Sequence, residues 1–74
     1  MSSSAQWIQE FARRLGVEPP SEEEVATILE LAGVAAHASE RSAAPVACWL
    51  AARQGLDPAQ ALALARSVEG GSAT

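Results

Sequence analysis

Helix start and stop signals recur along this 74-residue chain at spacings that allow only short helices. Serine or aspartate stands where a first helical turn needs a side-chain acceptor, and glycine stands where a helix can end. The start signals are Ser3 with Gln6, Ser21 with Glu24, Ser42 before Pro45, and Asp57-Pro58; the stop signals are Gly16, Gly55 and Gly70-Gly71. No segment shows the alternation of a strand. The sequence therefore predicts a compact all-α four-helix domain, with helices at about 5–15, 22–40, 43–54 and 58–69.

Alanine supplies nearly half of the apolar residues, which limits how much core the chain can build. Apolar residues make up 49% of the sequence. Burial stabilises by roughly 25 cal/mol per Å² of apolar surface, so each alanine contributes little. A chain of this length is also close to the lower size limit for a self-sufficient core. We expect one domain over residues 1–74, with frayed ends at 1–4 and 70–74, and marginal stability or support from a partner.

The charge balance argues against nucleic acid as a partner. The net charge is −4, and all five basic residues are arginines. Nucleic-acid binding requires a basic face that displaces counterions, and this sequence has none. Cys48 is the only cysteine, which fits a reducing compartment. No run approaches the ~20 apolar residues of a membrane span, and Met1-Ser2-Ser3-Ser4 lacks the basic and hydrophobic regions of a secretion signal. We expect a cytoplasmic protein that binds neither nucleic acid nor membranes.

The second predicted helix has the widest apolar surface of the four. Leu31, Val34 and Ala38 widen a stripe that already runs along the helix from Val25 to Ala36. A helix that is apolar over more than half of its circumference is usually central in its domain or shared with a partner. We therefore predict that Leu31, Val34 and Ala38 form an interaction surface for a protein partner or a second copy of the chain.

The corner between the second and third helices gathers the few residues that could bind a ligand. His37, Glu40 and Arg41 are spaced to project from one side of a helix. The first N–H groups of the next helix could complete an anion site beside Arg41. The predicted ligands of a phosphorylated small molecule are His37, Arg41, Ser42, Ala43 and Ala44. The competing and favoured interpretation is structural, because His37 and Arg41 could cap the last carbonyls of the second helix.

Other chemistry finds little support in the sequence. One histidine and one cysteine cannot make a zinc site, which needs three or four ligands. Cys48 with His37 would need contact and a third, orienting group to act as a nucleophile and base, and a buried cysteine usually behaves as a small hydrophobe. Trp7 and Trp49 lie at helical positions that predict core packing. We predict no catalytic residue, no metal ligand and no cofactor.

At the corner the sequence resembles a small bacterial domain family of uncharacterised function. The resemblance rests on Trp7-x3-Phe11-x3-Leu15-Gly16, on Leu29-x-Leu31-Ala32, and on Ala36-His37-Ala38-x-Glu40-Arg41-x-Ala43-Ala44-Pro45. Members of that family stand alone or are fused to proteins that make the molybdenum cofactor, molybdopterin-guanine dinucleotide. The resemblance implies a helical fold and an association with this pathway, and it implies no enzyme. The family pattern often has proline where this chain has Ser42, and Cys48 is not part of the pattern.

Two hypotheses of different classes follow. The first is a non-catalytic helical accessory or interaction domain associated with molybdenum-cofactor biosynthesis, which docks on a protein partner or forms a homo-oligomer. The alternative is a small-molecule binder that holds a phosphorylated pterin or a nucleotide at the corner around His37 and Arg41. A minimal enzyme would need a reactive group lent by a partner.

Overall fold

The computed structural model describes residues 3–72, which contain four helices and no strand. The helices are α1 (Ser4–Leu15), α2 (Glu22–Ala38), α3 (Ala43–Gln54) and α4 (Pro58–Ser72). The predicted compact all-α four-helix domain is therefore confirmed. Ser4 and residues 70–72, which were predicted to be frayed, are helical. Residues 1, 2, 73 and 74 lie outside the described residues.

The capping residues read from the sequence occupy the predicted places. Ser3 and Ser21 each form a reciprocal capping box with the residue three positions later. At Ser21 the Glu24 amide donates to the serine Oγ at 3.1 Å, and the Ser21 amide donates to Glu24 Oε1 at 2.8 Å. Gly16 and Gly55 take φ values of 78° and 83° at the ends of α1 and α3. Residues with a Cβ rarely adopt this left-handed conformation, so these glycines determine where the two helices stop.

Two helix ends differ from the predicted bounds. α2 ends at Ala38 instead of residue 40, and Ser39 leaves the helix with φ −137° and ψ −107°. The chain has to break before α3, because Pro45 in a continuous helix would clash with the carbonyl four residues earlier. α4 continues to Ser72 through Gly70-Gly71. A glycine within a helix costs only about 1 kcal/mol, so the pair permits an end without imposing one.

Ser21 and Ser42 provide a matched test of the caps. Ser42 precedes α3, but its backbone is helical and its side chain makes no capping hydrogen bond. Ser21→Ala is expected to lower the free energy of unfolding by about 1 kcal/mol, because the Glu24 amide loses its acceptor. Ser42→Ala is expected to change it by less than half as much. Urea unfolding followed by circular dichroism measures both, and equal losses would contradict the assignment.

The core forms where α3 and α4 pack against α2. Leu31 of α2, which is 4% exposed, contacts Ala61 and Leu62 of α4 in one buried cluster. Partly buried apolar side chains surround this cluster: Val34, Cys48, Ala51, Leu56 and Ala65. Within residues 3–72, α1 makes no comparably extensive contact with another helix. The domain therefore consists of a three-helix core and a first helix that lies largely apart from it.

Large apolar side chains remain on the surface of this domain. Ten of those in the described residues are between 49% and 69% exposed: Trp7, Phe11, Leu15, Val17, Leu29, Val46, Trp49, Leu50, Leu64 and Val68. The prediction that the two tryptophans are core residues is wrong. Trp7 stacks on Phe11 with ring centroids 5.1 Å apart, and the Arg53 guanidinium lies 5.1 Å from the Trp49 ring. Neither ring faces a second helix closely enough to be buried.

Candidate functional site

The corner predicted to bind an anion is an exposed turn. His37 lies in the last turn of α2, whereas Glu40 and Arg41 follow the end of the helix, and all three are exposed. Because α2 stops at Ala38, the helical spacing that would place these side chains on one side does not apply to Glu40 and Arg41. The expected clustering of His37 with Arg41 therefore loses its helical basis.

The N–H groups that were predicted to receive an anion already have acceptors. The Ala43 amide donates to the Glu40 carbonyl oxygen at 2.9 Å, and the Ala44 amide donates to the Arg41 carbonyl oxygen at 3.1 Å. The Ser42 side chain makes no cap hydrogen bond. At the end of α2 the Ser39 amide donates to the Ala35 carbonyl at 3.1 Å, so backbone groups close this turn. A phosphate at the corner would have to displace these bonds or rely on exposed side chains.

The three residues predicted to form an interaction surface lie at different depths. Leu31 is in the core, Val34 is half-buried against it, and Ala38 is exposed. The broad apolar arc of α2 is covered from two sides because both α3 and α4 pack against it. Leu31 in particular is only 4% exposed, so it offers a partner little surface in this arrangement. The arc read from the sequence marks the centre of the core.

Exposed apolar surface is instead concentrated in a groove between α3 and α4, here called the α3–α4 groove. Its volume is about 370 Å³. Leu31 contributes to the lining from α2, and Leu50, Leu64 and Val68 are its most exposed large apolar side chains. The complete lining is Leu31, Ala47, Leu50, Ala51, Gln54, Leu56, Ala61, Leu64, Ala65 and Val68. Gln54 is the single polar residue among them, and no charged side chain lines the groove.

A second apolar surface lies on α1. Trp7, Phe11 and Leu15 recur every four residues and form a continuous exposed stripe, here called the α1 face. The sequence assigned this stripe to the core, because periodicity identifies an apolar face without saying what covers it. Beside the stripe, the Glu10 carboxylate accepts hydrogen bonds from the guanidinium groups of Arg13 and Arg14, at 3.0 and 2.9 Å. Both hydrogen bonds lower the pKa of Glu10, and the bond from Arg13 has the larger effect.

Cys48 has the environment of a structural thiol. It is half-buried and lines a small apolar pocket with Ile28, Leu31 and Ala52. Burial raises the pKa of the thiol, which reduces the thiolate fraction near neutral pH. Among the described residues no group of three histidine, cysteine or carboxylate side chains could hold a metal ion. No helix in the same part of the chain is long and apolar enough to cross a membrane.

Sequence reasoning missed the α3–α4 groove for an identifiable reason. Helical periodicity groups Val46, Trp49 and Leu50 on one face of α3, and Leu62, Leu64, Ala65 and Val68 are the apolar residues that α4 is expected to bury. All three α3 residues, and Leu64 and Val68 of α4, are more than half exposed. The sequence shows which residues of each helix are apolar, but it does not show which side of the helix contacts α2.

Comparison with known proteins places the chain in a family without assigning an activity. A family model described as a domain of unknown function (DUF6457) matches residues 1–73. No curated protein and no solved structure shows significant similarity to the chain. The match covers almost the whole sequence, including all four helices and both apolar surfaces. The chain therefore belongs to the DUF6457 family, a family of unknown function.

Proposed function

We propose that this chain is a non-catalytic helical interaction domain that binds a helix of a partner protein in the α3–α4 groove. The groove itself carries the proposal. It is lined by ten residues of which only Gln54 is polar, and three of its large side chains, Leu50, Leu64 and Val68, are more than half exposed. Amphipathic helices bind apolar grooves of this kind through side chains spaced one helical turn apart. Burial of Leu50, Leu64 and Val68 would supply the binding free energy.

The sequence resemblance suggests which partner to try first. The resemblance implies fusion of similar domains to enzymes of molybdenum-cofactor biosynthesis. We therefore include an association with this pathway, a bacterial source and a cytoplasmic location in the proposal. The non-catalytic part rests on the residue set, in which the only thiol is half-buried with a raised pKa. A docking domain needs an exposed apolar surface and no reactive group.

Titration of the purified chain with a molybdenum-cofactor biosynthesis enzyme tests this proposal. Wild-type chain should bind, and Leu64→Asp should weaken the affinity at least tenfold, which corresponds to about 1.4 kcal/mol, because a carboxylate would enter the apolar groove. Leu29→Asp is the matched control, since Leu29 is 65% exposed on α2 and does not line the groove. Equal binding by both variants, or no binding by the wild type, would contradict the proposal.

Small-molecule binding at the corner is the second candidate. It is supported by the exposure of His37 and Arg41 at a turn with few other functional groups. Nuclear magnetic resonance titration with phosphate, a phosphorylated pterin and a nucleotide should shift the His37, Ala43 and Ala44 signals. Arg41→Ala should abolish these shifts and leave partner docking at the groove intact. Unshifted signals at millimolar ligand would remove this candidate.

A further inference from the structure

The two apolar surfaces of this chain are complementary in form. The α1 face is an exposed stripe of one helix, and the α3–α4 groove is an apolar channel between two helices. The α1 face spans nine residues, Trp7 to Leu15, and the groove lining spans eight residues on each helix, 47–54 on α3 and 61–68 on α4. At 1.5 Å per residue, both surfaces are about 12 Å long. Trp7, Phe11 and Leu15, spaced one turn apart, provide the regular anchors of a groove-bound helix.

The accessible surface of the chain exceeds that of a compact monomer by more than the area that one protein interface buries on each partner. The accessible surface is 5816 Å², whereas a compact monomer of 7.6 kDa is expected to expose roughly 4,300 Å². The difference is roughly 1,500 Å². A standard protein interface buries roughly 800 Å² on each partner. The excess is thus large enough for a complete interface on every copy of the chain.

We propose that a second copy of this chain supplies that partner, with the α1 face of each copy filling the α3–α4 groove of the other. The inference rests on the proposed function of the groove as a helix-binding site: in the free chain the α1 face of a second copy occupies the groove, and a partner helix binds by displacing it. Two such contacts are related by a two-fold axis, so the assembly closes as a dimer. Each copy contributes one helix and one groove, and both exposed apolar surfaces are buried together.

The position of α1 favours exchange between copies over docking within one copy. Ala5 and Ile8 line a cleft with Pro19, Pro20 and Val25, so α1 lies beside the connector and the first turns of α2. Consecutive prolines stiffen this connector and hold α1 there. The cleft shares no lining residue with the α3–α4 groove. Because the α1 face is not directed into this cleft, it stays free for the other copy.

Charge does not oppose this contact. The α3–α4 groove is lined by no charged residue. On α1 the single acid, Glu10, is paired with Arg13 and Arg14, which leaves the helix with a net charge of +1 in a chain of net charge −4. Glu10 and Arg14 share a surface pocket with Trp7 and Phe11, so they lie beside the contact, but the carboxylate is already paired with a guanidinium and does not have to be buried alone.

Sedimentation velocity of the full chain tests the dimer. At tens of micromolar, the wild-type chain should sediment as a species with twice its 7.6 kDa mass. On dilution, this species should dissociate to the monomer. Phe11→Asp on the α1 face and Leu64→Asp in the groove should each weaken association at least tenfold. Leu29→Asp, the same change at an exposed site outside both surfaces, should associate like the wild type. Circular dichroism of each variant checks that the helices are retained.

Mixing the two variants tests the pairing itself. Phe11→Asp keeps an intact groove and Leu64→Asp keeps an intact α1 face, so their mixture should form heterodimers through one undamaged contact. The heterodimer should be tighter than either variant alone and weaker than the wild-type dimer. Variants that fail to complement would overturn the exchanged arrangement, as would a wild-type chain that stays monomeric at millimolar concentration. A monomer that still binds a pathway enzyme through Leu64 would overturn only the dimer and leave the proposed function standing.

Discussion

Leu31→Ala is expected to lower the free energy of unfolding by about 2–5 kcal/mol. Leu31 is 4% exposed and contacts Ala61 and Leu62 where α3 and α4 meet on α2. Truncation removes Cγ and the two methyl groups of the leucine side chain from the centre of the core and leaves a cavity, and both effects destabilise the folded state. A chain of 74 residues has about 4–11 kcal/mol of stability in total. The variant should therefore lose much of its cooperative thermal transition.

Leu29→Ala provides the control on the same helix. Leu29 is 65% exposed, so its truncation creates no cavity and should change stability by no more than about 0.5 kcal/mol. Both variants retain helix-forming residues, and alanine has the higher intrinsic helix propensity. Chemical unfolding monitored by circular dichroism, at a concentration where association is complete, compares the two. If Leu29→Ala is as destabilising as Leu31→Ala, α2 is oriented differently from the structure described above.

Ala61→Asp is expected to destabilise the domain by about 3–5 kcal/mol at neutral pH. Ala61 is 5% exposed in α4 and lies against Leu31 and Leu62, and no polar or charged side chain in the described residues is buried with it. The new carboxylate would lose its hydration without gaining a partner. Its pKa in the folded state would be raised. The destabilisation should therefore grow as the pH rises through that raised value and diminish toward pH 4.

The matched variant is Ala63→Asp, which places the same side chain two residues away on an exposed position of α4. It carries the same helix-propensity cost and the same change in net charge. Thermal unfolding between pH 4 and pH 8 should show little pH-dependent difference between Ala63→Asp and the wild type. A pH dependence shared by both variants would mean that Ala61 is not enclosed.

The helix ends show how far local sequence determines this fold. Ser3, Ser21 and Asp57 bond amides three residues away, and Gly16 and Gly55 adopt left-handed conformations. All of these interactions span four or five residues, so the sequence reveals them without any knowledge of the tertiary fold. The end of α2 was less accurately predicted, because Glu40 and Arg41 are compatible with a helix and the turn also depends on how α3 packs.

The candidate site was less predictable than the helices. The corner was chosen for its residue types, and the structure shows that the Ala43 and Ala44 amides are already bonded to backbone carbonyls. The α3–α4 groove contains no distinctive residue type, since alanine and leucine line most of it. A groove arises from the relative placement of two helices. Composition and periodicity carry no information about that placement.

Caps and helical periodicity act within a few residues, so the amino-acid sequence alone predicts four helices, the start of three of them and the end of two. Which apolar faces meet depends on the tertiary packing. Leu31 is enclosed because two helices pack against α2, whereas Trp7 and Leu64 stay more than half exposed because no helix within residues 3–72 covers them. The free energy gained by burying an apolar side chain depends on which residues cover it. Those residues belong to segments that are distant in sequence, so the packing of the helices determines them.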